Sequence, residues 1–167
     1  MFGARLNFDT GGRGIMFNLS YNNKAFFSTQ YNGQANYHSS QYEKSLDRHC
    51  IYWNKNNIYV DDVLEQTYTY EEFTTPTSIL LCGYNNNTSP IIGLEAKIYG
   101  VKIFENDVPL RDFIPCYATT TVTNVKGNSC PEGTIGLYDT VNNKFYTNAG
   151  SGTFNAGQNV NSIVEID

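Results

Sequence analysis

Two places in the 167-residue chain hold carboxylates at the spacing that hydrolytic chemistry uses: Glu105-Asn106-Asp107 and Glu165-Ile166-Asp167. On a strand, side chains two apart share a face, where one acid can act as nucleophile and the other as proton donor. The first pair falls in an expected turn without a third acid, and the second closes the sequence, so neither makes a complete set. The two histidines, His38 and His49, have no Gly-x-Ser-x-Gly turn to serve. The stretch GTIGLYDTVNNKFYTNAGSGTF, residues 133–154, is glycine-rich but lacks a following Lys-Ser/Thr and a helical pattern. A phosphate-cradling loop needs both. The stretch reads instead as a hairpin turning at Asn142-Asn143, with Tyr138, Phe145, Tyr146 and Phe154 pinning it and its tail to the core.

Metal and thiol chemistry are thinly represented. Asp61-Asp62 sits at an expected hairpin tip, where it reads either as a solvated turn or as part of a calcium site, and no EF-hand spacing occurs. No cofactor is expected. The four cysteines, Cys50, Cys82, Cys116 and Cys130, form no C-x-x-C pair. Cys50 and Cys82 lie in apolar runs and read as buried thiols. Cys116 and Cys130 flank a Thr-rich segment; a bridge between them would close a loop of ~15 residues and add ~3 kcal/mol, and two free thiols are the alternative.

Sugar recognition asks for aromatic faces beside fixed amides and carboxylates. Tyr31, Asn32, Tyr37 and His38 in an early hairpin, and Tyr84, Asn85, Asn86 and Asn87 before Pro90, are the candidate glycan-binding residues. Trp53 reads as core rather than platform.

The elements that would carry these residues are short. Runs such as GIMFNLS, KAFFSTQY, QANYHS, DRHCIYW, SILLCGY, VPLRDFIPCY, TIGLYD and KFYT are separated by Asn- and Gly-rich turns, the pattern of antiparallel strands. IYVDDVLEQTYTY folds back after Asn54-Lys55-Asn56-Asn57, and IIGLEAKIYGVKIF needs a bulge at Tyr99-Gly100 to keep Ala96, Ile98, Val101 and Ile103 on one face. SSQYEKSLDR is the one helix-like segment. Residues 1–167 read as one all-β domain, an antiparallel sandwich or barrel.

Charged residues make up 16% of the chain, well under the ~25% usual in soluble domains. Aromatic residues make up 14%, and the polar surface falls to Asn, Thr, Ser, Gln and Gly, which suits an extracellular or virion protein. A net charge of −5 with no Lys/Arg cluster argues against nucleic acid. No apolar run approaches a membrane span, and MFGARLNFDTGG is no signal peptide.

DRHCIYWNKNNIYVDDVLEQ resembles the central hairpin of laminin G-like and concanavalin A-like lectin/glucanase domains, with Asp62 where a glycine is usual. GLEAKIYGVKIFENDVPLRDF resembles a late strand of that fold. LRDFIPCY followed by GLYDTVNNKFYTNAGSGTF is similar to a subgroup found in phage tail and fibre proteins and in gut-bacterial surface proteins. The three matches span about Arg48 to Gly157.

The resemblance implies a concanavalin A-like jelly roll; some laminin G-like domains use loop aspartates to hold calcium, while a solvated turn is the favoured reading of Asp61-Asp62. In the subgroup a leading segment precedes the phrase resembling Met1-Phe2-Gly3-Ala4-Arg5, so the domain is expected to lack one or two first strands. Laminarinase-type members carry a Glu-x-Asp-x-x-Glu strand that is missing here. The expected function is therefore a non-catalytic, lectin-like module of a virion or tail fibre, attaching to bacterial surface glycans. A structural virion decoration or oligomerisation domain, in contact with other virion subunits or its own copies, is the first alternative. A bacterial adhesin module is the second, and a glycoside hydrolase the least favoured.

Overall fold

Every regular element among the described residues is a β-strand, as the short apolar runs and polar turns require. The computed structural model describes residues 2–5, 14–21, 24–31, 34–37, 48–67, 69, 80–81, 97–148, 153–157 and 161–163. The helix-like SSQYEKSLDR lies outside them apart from Arg48. The chain divides into two compact units, Met1–Glu95 and Ala96–Asp167, where the sequence reads as one domain.

The first unit contains β1 (Phe2–Arg5), β2 (Gly14–Tyr21), β3 (Lys24–Tyr31), β4 (Gln34–Tyr37), β5 (Ile51–Asn54), β6 (Asn57–Val60), β7 (Val63–Thr67) and β8 (Leu80–Leu81). Strands β4-β3-β2-β1-β8 form one antiparallel sheet. Strands β5-β6-β7 form a second, three-stranded antiparallel meander. Its second turn is two residues long, closed by Val60↔Val63. Asp61 and Asp62 take φ of 50° and 66°, the doubly left-handed backbone of a type I′ turn. Asp62 thus holds a left-handed backbone that a glycine would adopt at no steric cost.

The second unit contains β9 (Val101–Glu105), β10 (Val108–Ala118), β11 (Val122–Thr123), β12 (Ser129–Cys130), β13 (Ile135–Asp139), β14 (Lys144–Tyr146) and β15 (Asn161–Ile163). Asn106-Asp107 makes another I′ turn, at φ 50° and 65°, between β9 and β10. The long strand β10 organises the unit. One edge pairs with β13; the other pairs with β9 as far as Phe113 and then with β15, in parallel, from Cys116. The N–H and C=O of Ala118 bond Thr134 and Gly133 on the β13 side. By period two, Pro115 then turns its missing N–H to the opposite edge, into the gap between β9 and β15, where no ladder bond is lost.

Two expectations are corrected here. The irregularity in the β9–β10 ladder lies between Pro109 and Arg111, whereas Tyr99-Gly100 precedes the start of β9. Ala96 lies outside the described residues. The β13–β14 loop has four residues, 140–143, between the closing pair Asp139↔Lys144, rather than a two-residue turn at Asn142-Asn143. Only Asn143, at φ 52°, is left-handed there.

The reason is the Asp139 side chain, which is fully buried. Its Oδ1 accepts from the backbone N–H of Asp112 at 3.1 Å and of Val141 at 3.2 Å. Its Oδ2 accepts from Asn142 Nδ2 at 2.8 Å and lies 3.5 Å from Arg111 Nε. Asp112 sits one residue past the last β10–β13 pair, so the carboxylate takes the place of the missing ladder acceptor. The Thr140 N–H completes the exchange at the Asp112 carbonyl, 2.9 Å away. Below this knot Cys116, Ala118, Val122, Cys130 and Phe145 form the buried cluster, with Tyr138 against it. Gly136 lies under the Phe145 ring; a Cβ there would stand 2.4 Å from the Tyr146 carbonyl oxygen.

Burial pushes the Asp139 carboxyl pKa up, but the Asp112 N–H, the Asn142 amide, the Val141 N–H and the Arg111 charge pull it down, and the net lies below the ordinary value. The folded carboxylate therefore binds its proton less tightly than the unfolded one. Its contribution is complete above about pH 4 and is lost as pH falls through the depressed folded pKa. Asp139→Asn should cost about 3 kcal/mol near neutral pH. In urea titrations, the gap between wild type and variant should narrow below about pH 4.

Candidate functional site

The sheet β5-β6-β7 has two unlike faces, produced by the alternation along β5 and β6. Ile51 and Trp53 on β5 lie opposite Val60 and Ile58 on β6, and Ile58 and Val60 are buried. Trp53 is half-buried on this inner face, its Nε1–H donating to the Lys55 carbonyl at 3.0 Å. The other face carries the intervening residues. Tyr52 is opposite Tyr59, and Tyr59 is opposite Leu64 on β7. Tyr52 is 50% exposed and Leu64 52%.

The two tyrosine rings are 6.0 Å apart, with their planes inclined by 33°. Flanking them on one side are Asn54 and Asn57, the latter's Oδ1 accepting from Thr67 Oγ1 at 2.9 Å. On the other side stands Asp61. Its backbone N–H bonds the Cys50 carbonyl, its Oδ1 accepts from the Cys50 N–H at 2.9 Å, and its Oδ2 meets His49 Nδ1 at 2.7 Å. The outer face thus carries an aromatic pair with two amides at one end, and the braced Asp61 carboxylate stands in the turn at the other end of the hairpin. Asp61 remains about half exposed after making these bonds.

Of the residues expected from sequence to bind glycan, Tyr31 and Tyr37 fall among the described residues. Tyr31 and Tyr37 lie at opposite ends of the β3–β4 ladder, paired with Gln34 and Ser28, so the strands do not set them side by side. Asn32, His38, Tyr84, Asn85, Asn86 and Asn87 lie outside the described residues. The tyrosine face was hidden because IYW reads as one apolar run. Period-two alternation across IYWN and NIYV was the signal that separates Tyr52 and Tyr59 from their buried neighbours.

The same alternation corrects Cys50, which is exposed rather than buried. It also brings Asp61 and His49 together from twelve residues apart. Among the described residues no group of three His, Cys, Asp or Glu side chains gathers to hold a metal.

Cys116 and Cys130 are free thiols, not a disulfide. Each is buried in the core cluster and faces a backbone carbonyl: Gly136 at 3.7 Å for Cys116 and Asn128 at 3.6 Å for Cys130. Burial pushes the Cys116 thiol up to about 12, against a backbone hydrogen bond at Tyr138. The Thr-rich segment between them forms the β11–β12 ribbon, turned by Asn124, whose Oδ1 accepts from the N–H groups of Lys126 and Asn128.

No family model, curated protein or solved structure matches the chain.

Brief alkylation of the native protein at pH 8, read by peptide mapping, should label Cys50 and spare Cys116 and Cys130 until denaturant is added. A Cys116–Cys130 linked peptide in the non-reduced digest would contradict this arrangement.

Proposed function

We propose that this protein is a non-catalytic carbohydrate-binding module built as a concanavalin A-like β-sandwich. It acts on a phage virion or tail fibre and attaches the particle to bacterial surface glycans. The observation that carries this reading is the outer face of β5-β6-β7, where exposed Tyr52 and half-buried Tyr59 stand beside the Asn54 and Asn57 amides. Aromatic rings supply apolar area for the C–H face of a sugar, and fixed oxygens and amides meet its hydroxyls. Such a shallow platform binds weakly per copy, and repetition on a particle multiplies the effect. The virion setting is supported by the low charge and Asn/Thr/Tyr-rich composition and by the motif resemblance.

A second reading, an oligomerisation or decoration element of the virion, is favoured by the β9–β10 hairpin. There Phe104, Val108 and Leu110 are 49%, 61% and 39% exposed. Apolar side chains of this size on a hairpin tip suit a subunit contact.

The two readings separate in one experiment. Purified wild type and Tyr52→Ala are applied to a bacterial glycan array, with molar mass measured in the same buffer. Glycan binding that Tyr52→Ala weakens at least tenfold, at unchanged melting temperature, is the expected result. A cross-strand pair with only a structural role predicts a lower melting temperature and unchanged binding. An oligomer that dissociates on Val108→Asp and binds no glycan would establish the second reading instead.

A further inference from the structure

The outer face of β5-β6-β7 also limits which sugar substituent it can take, an inference that rests on the carbohydrate-binding reading above. We propose that this face selects N-acetylated sugars, with the 2-acetamido group held at the corner formed by Tyr59, Leu64 and Asn57.

Register lays out the corner. Tyr52, Tyr59 and Leu64 lie opposite one another across the three strands and make an apolar row. Asn54, Asn57 and Thr67 lie opposite one another in the same way and make a polar row beside it. On β7 the ladder irregularity between Ile58 and Tyr59 leaves Glu65 as the extra residue between the rows. Leu64 and Thr67, three apart, therefore share a face that plain alternation would deny them. Leu64 and Asn57 become diagonal neighbours across β6 and β7, about 7 to 8 Å apart in such a pairing.

The polar row presents a donor. Thr67 Oγ1 donates to Asn57 Oδ1 at 2.9 Å, which holds the amide and commits its oxygen. Among the described residues nothing accepts from the Asn57 Nδ2, and the exposed Asn54 amide opposite it has no partner either. An amide held in this way asks its ligand for an acceptor oxygen.

The apolar row presents a surface that the rings alone do not finish. Leu64 is 52% exposed beside Tyr59, at the end of the row. A sugar stacked on Tyr52 and Tyr59 leaves it in water, and an apolar group reaching over it is favoured.

One sugar substituent answers both needs. An acetamido group carries a carbonyl oxygen and a methyl side by side. Its carbonyl accepts from Asn57 Nδ2 while its methyl rests on Leu64. A hydroxyl on the same carbon satisfies the amide but leaves Leu64 wet; a 6-deoxy methyl covers Leu64 but brings no acceptor. The group is neutral, and its selection makes no use of the Asp61–His49 pair.

The test is binding of the immobilised full chain to polyacrylamide conjugates of N-acetylglucosamine, N-acetylgalactosamine and N-acetylmannosamine, each beside its glucose, galactose or mannose counterpart. The members of a pair differ only at C2, and multivalent display makes weak contacts measurable. Interferometry gives the half-saturating concentrations for wild type, Asn57→Asp, Leu64→Ala and Tyr52→Ala. Asn57→Asp keeps the acceptor that Thr67 uses and removes the donor; Leu64→Ala trims an exposed side chain. At least one acetylated conjugate is expected to bind about tenfold or more tightly than its counterpart. Asn57→Asp and Leu64→Ala should each cut that preference about threefold or more, and Tyr52→Ala should weaken both members of the pair.

Equal binding within every pair, lost in Tyr52→Ala, would overturn the acetamido selectivity while leaving carbohydrate binding on this face intact. A preference that neither Asn57→Asp nor Leu64→Ala reduces would overturn the corner as its source. Silence from every conjugate would overturn this inference alone if the bacterial glycan array gives binding, and would remove both readings if the array is silent too.

Discussion

One buried carboxylate sets the geometry of the second unit. Asp139 has no exposed surface, and an ionised group there is tolerable only because every direction around it holds a donor. Two backbone N–H groups, one amide and one guanidinium supply them, and they come from two separate segments, residues 111–112 and 141–142. The carboxylate therefore ties the β13–β14 loop to the middle of β10. Asn142 Nδ2 adds a further bond to the Leu110 carbonyl at 2.9 Å, beside the ladder irregularity. Without this anchor, β10 would have unsatisfied polar groups just where it leaves β13 behind and continues alone with β9.

Much of the fold could be read from the chain. The Asn-Asp and Asp-Asp turns were legible because those residues tolerate the left-handed backbone that a two-residue hairpin demands. Strand positions followed from the apolar runs. The Asn142-Asn143 turn misled because the Asp139 side chain was not part of the turn pattern, yet it captures Val141 and Asn142 and lengthens the loop. An Asp whose carboxylate bonds the N–H two residues on is an Asx-turn, and that signal was present in Asp139-Thr140-Val141. The pairing of Asp139 with Asp112, twenty-seven residues away, had no local signature at all.

The candidate site was legible only in part. The sequence singled out tyrosines and amides as residue types, but abundance of Tyr and Asn points everywhere at once. What locates them is register: a single pairing, Tyr52 with Tyr59, decides which side chains share the outer face. The same register turns Cys50 outward and makes an ordinary turn aspartate into a braced acceptor. Composition describes what a surface is made of, whereas strand pairing decides which of its groups meet.

The parallel pairing of β15 with β10 has a mechanical consequence. Three residue pairs, Cys116↔Asn161, Tyr117↔Ser162 and Ala118↔Ile163, join the two strands pointing the same way. Tension applied beyond Ile163, with the unit held from its β9 side, pulls the two strands past each other lengthwise. The cross-links then share the load together instead of opening one after another, as they would in an antiparallel hairpin pulled from its open end. This is the orientation in which so short a strand resists a lengthwise pull best.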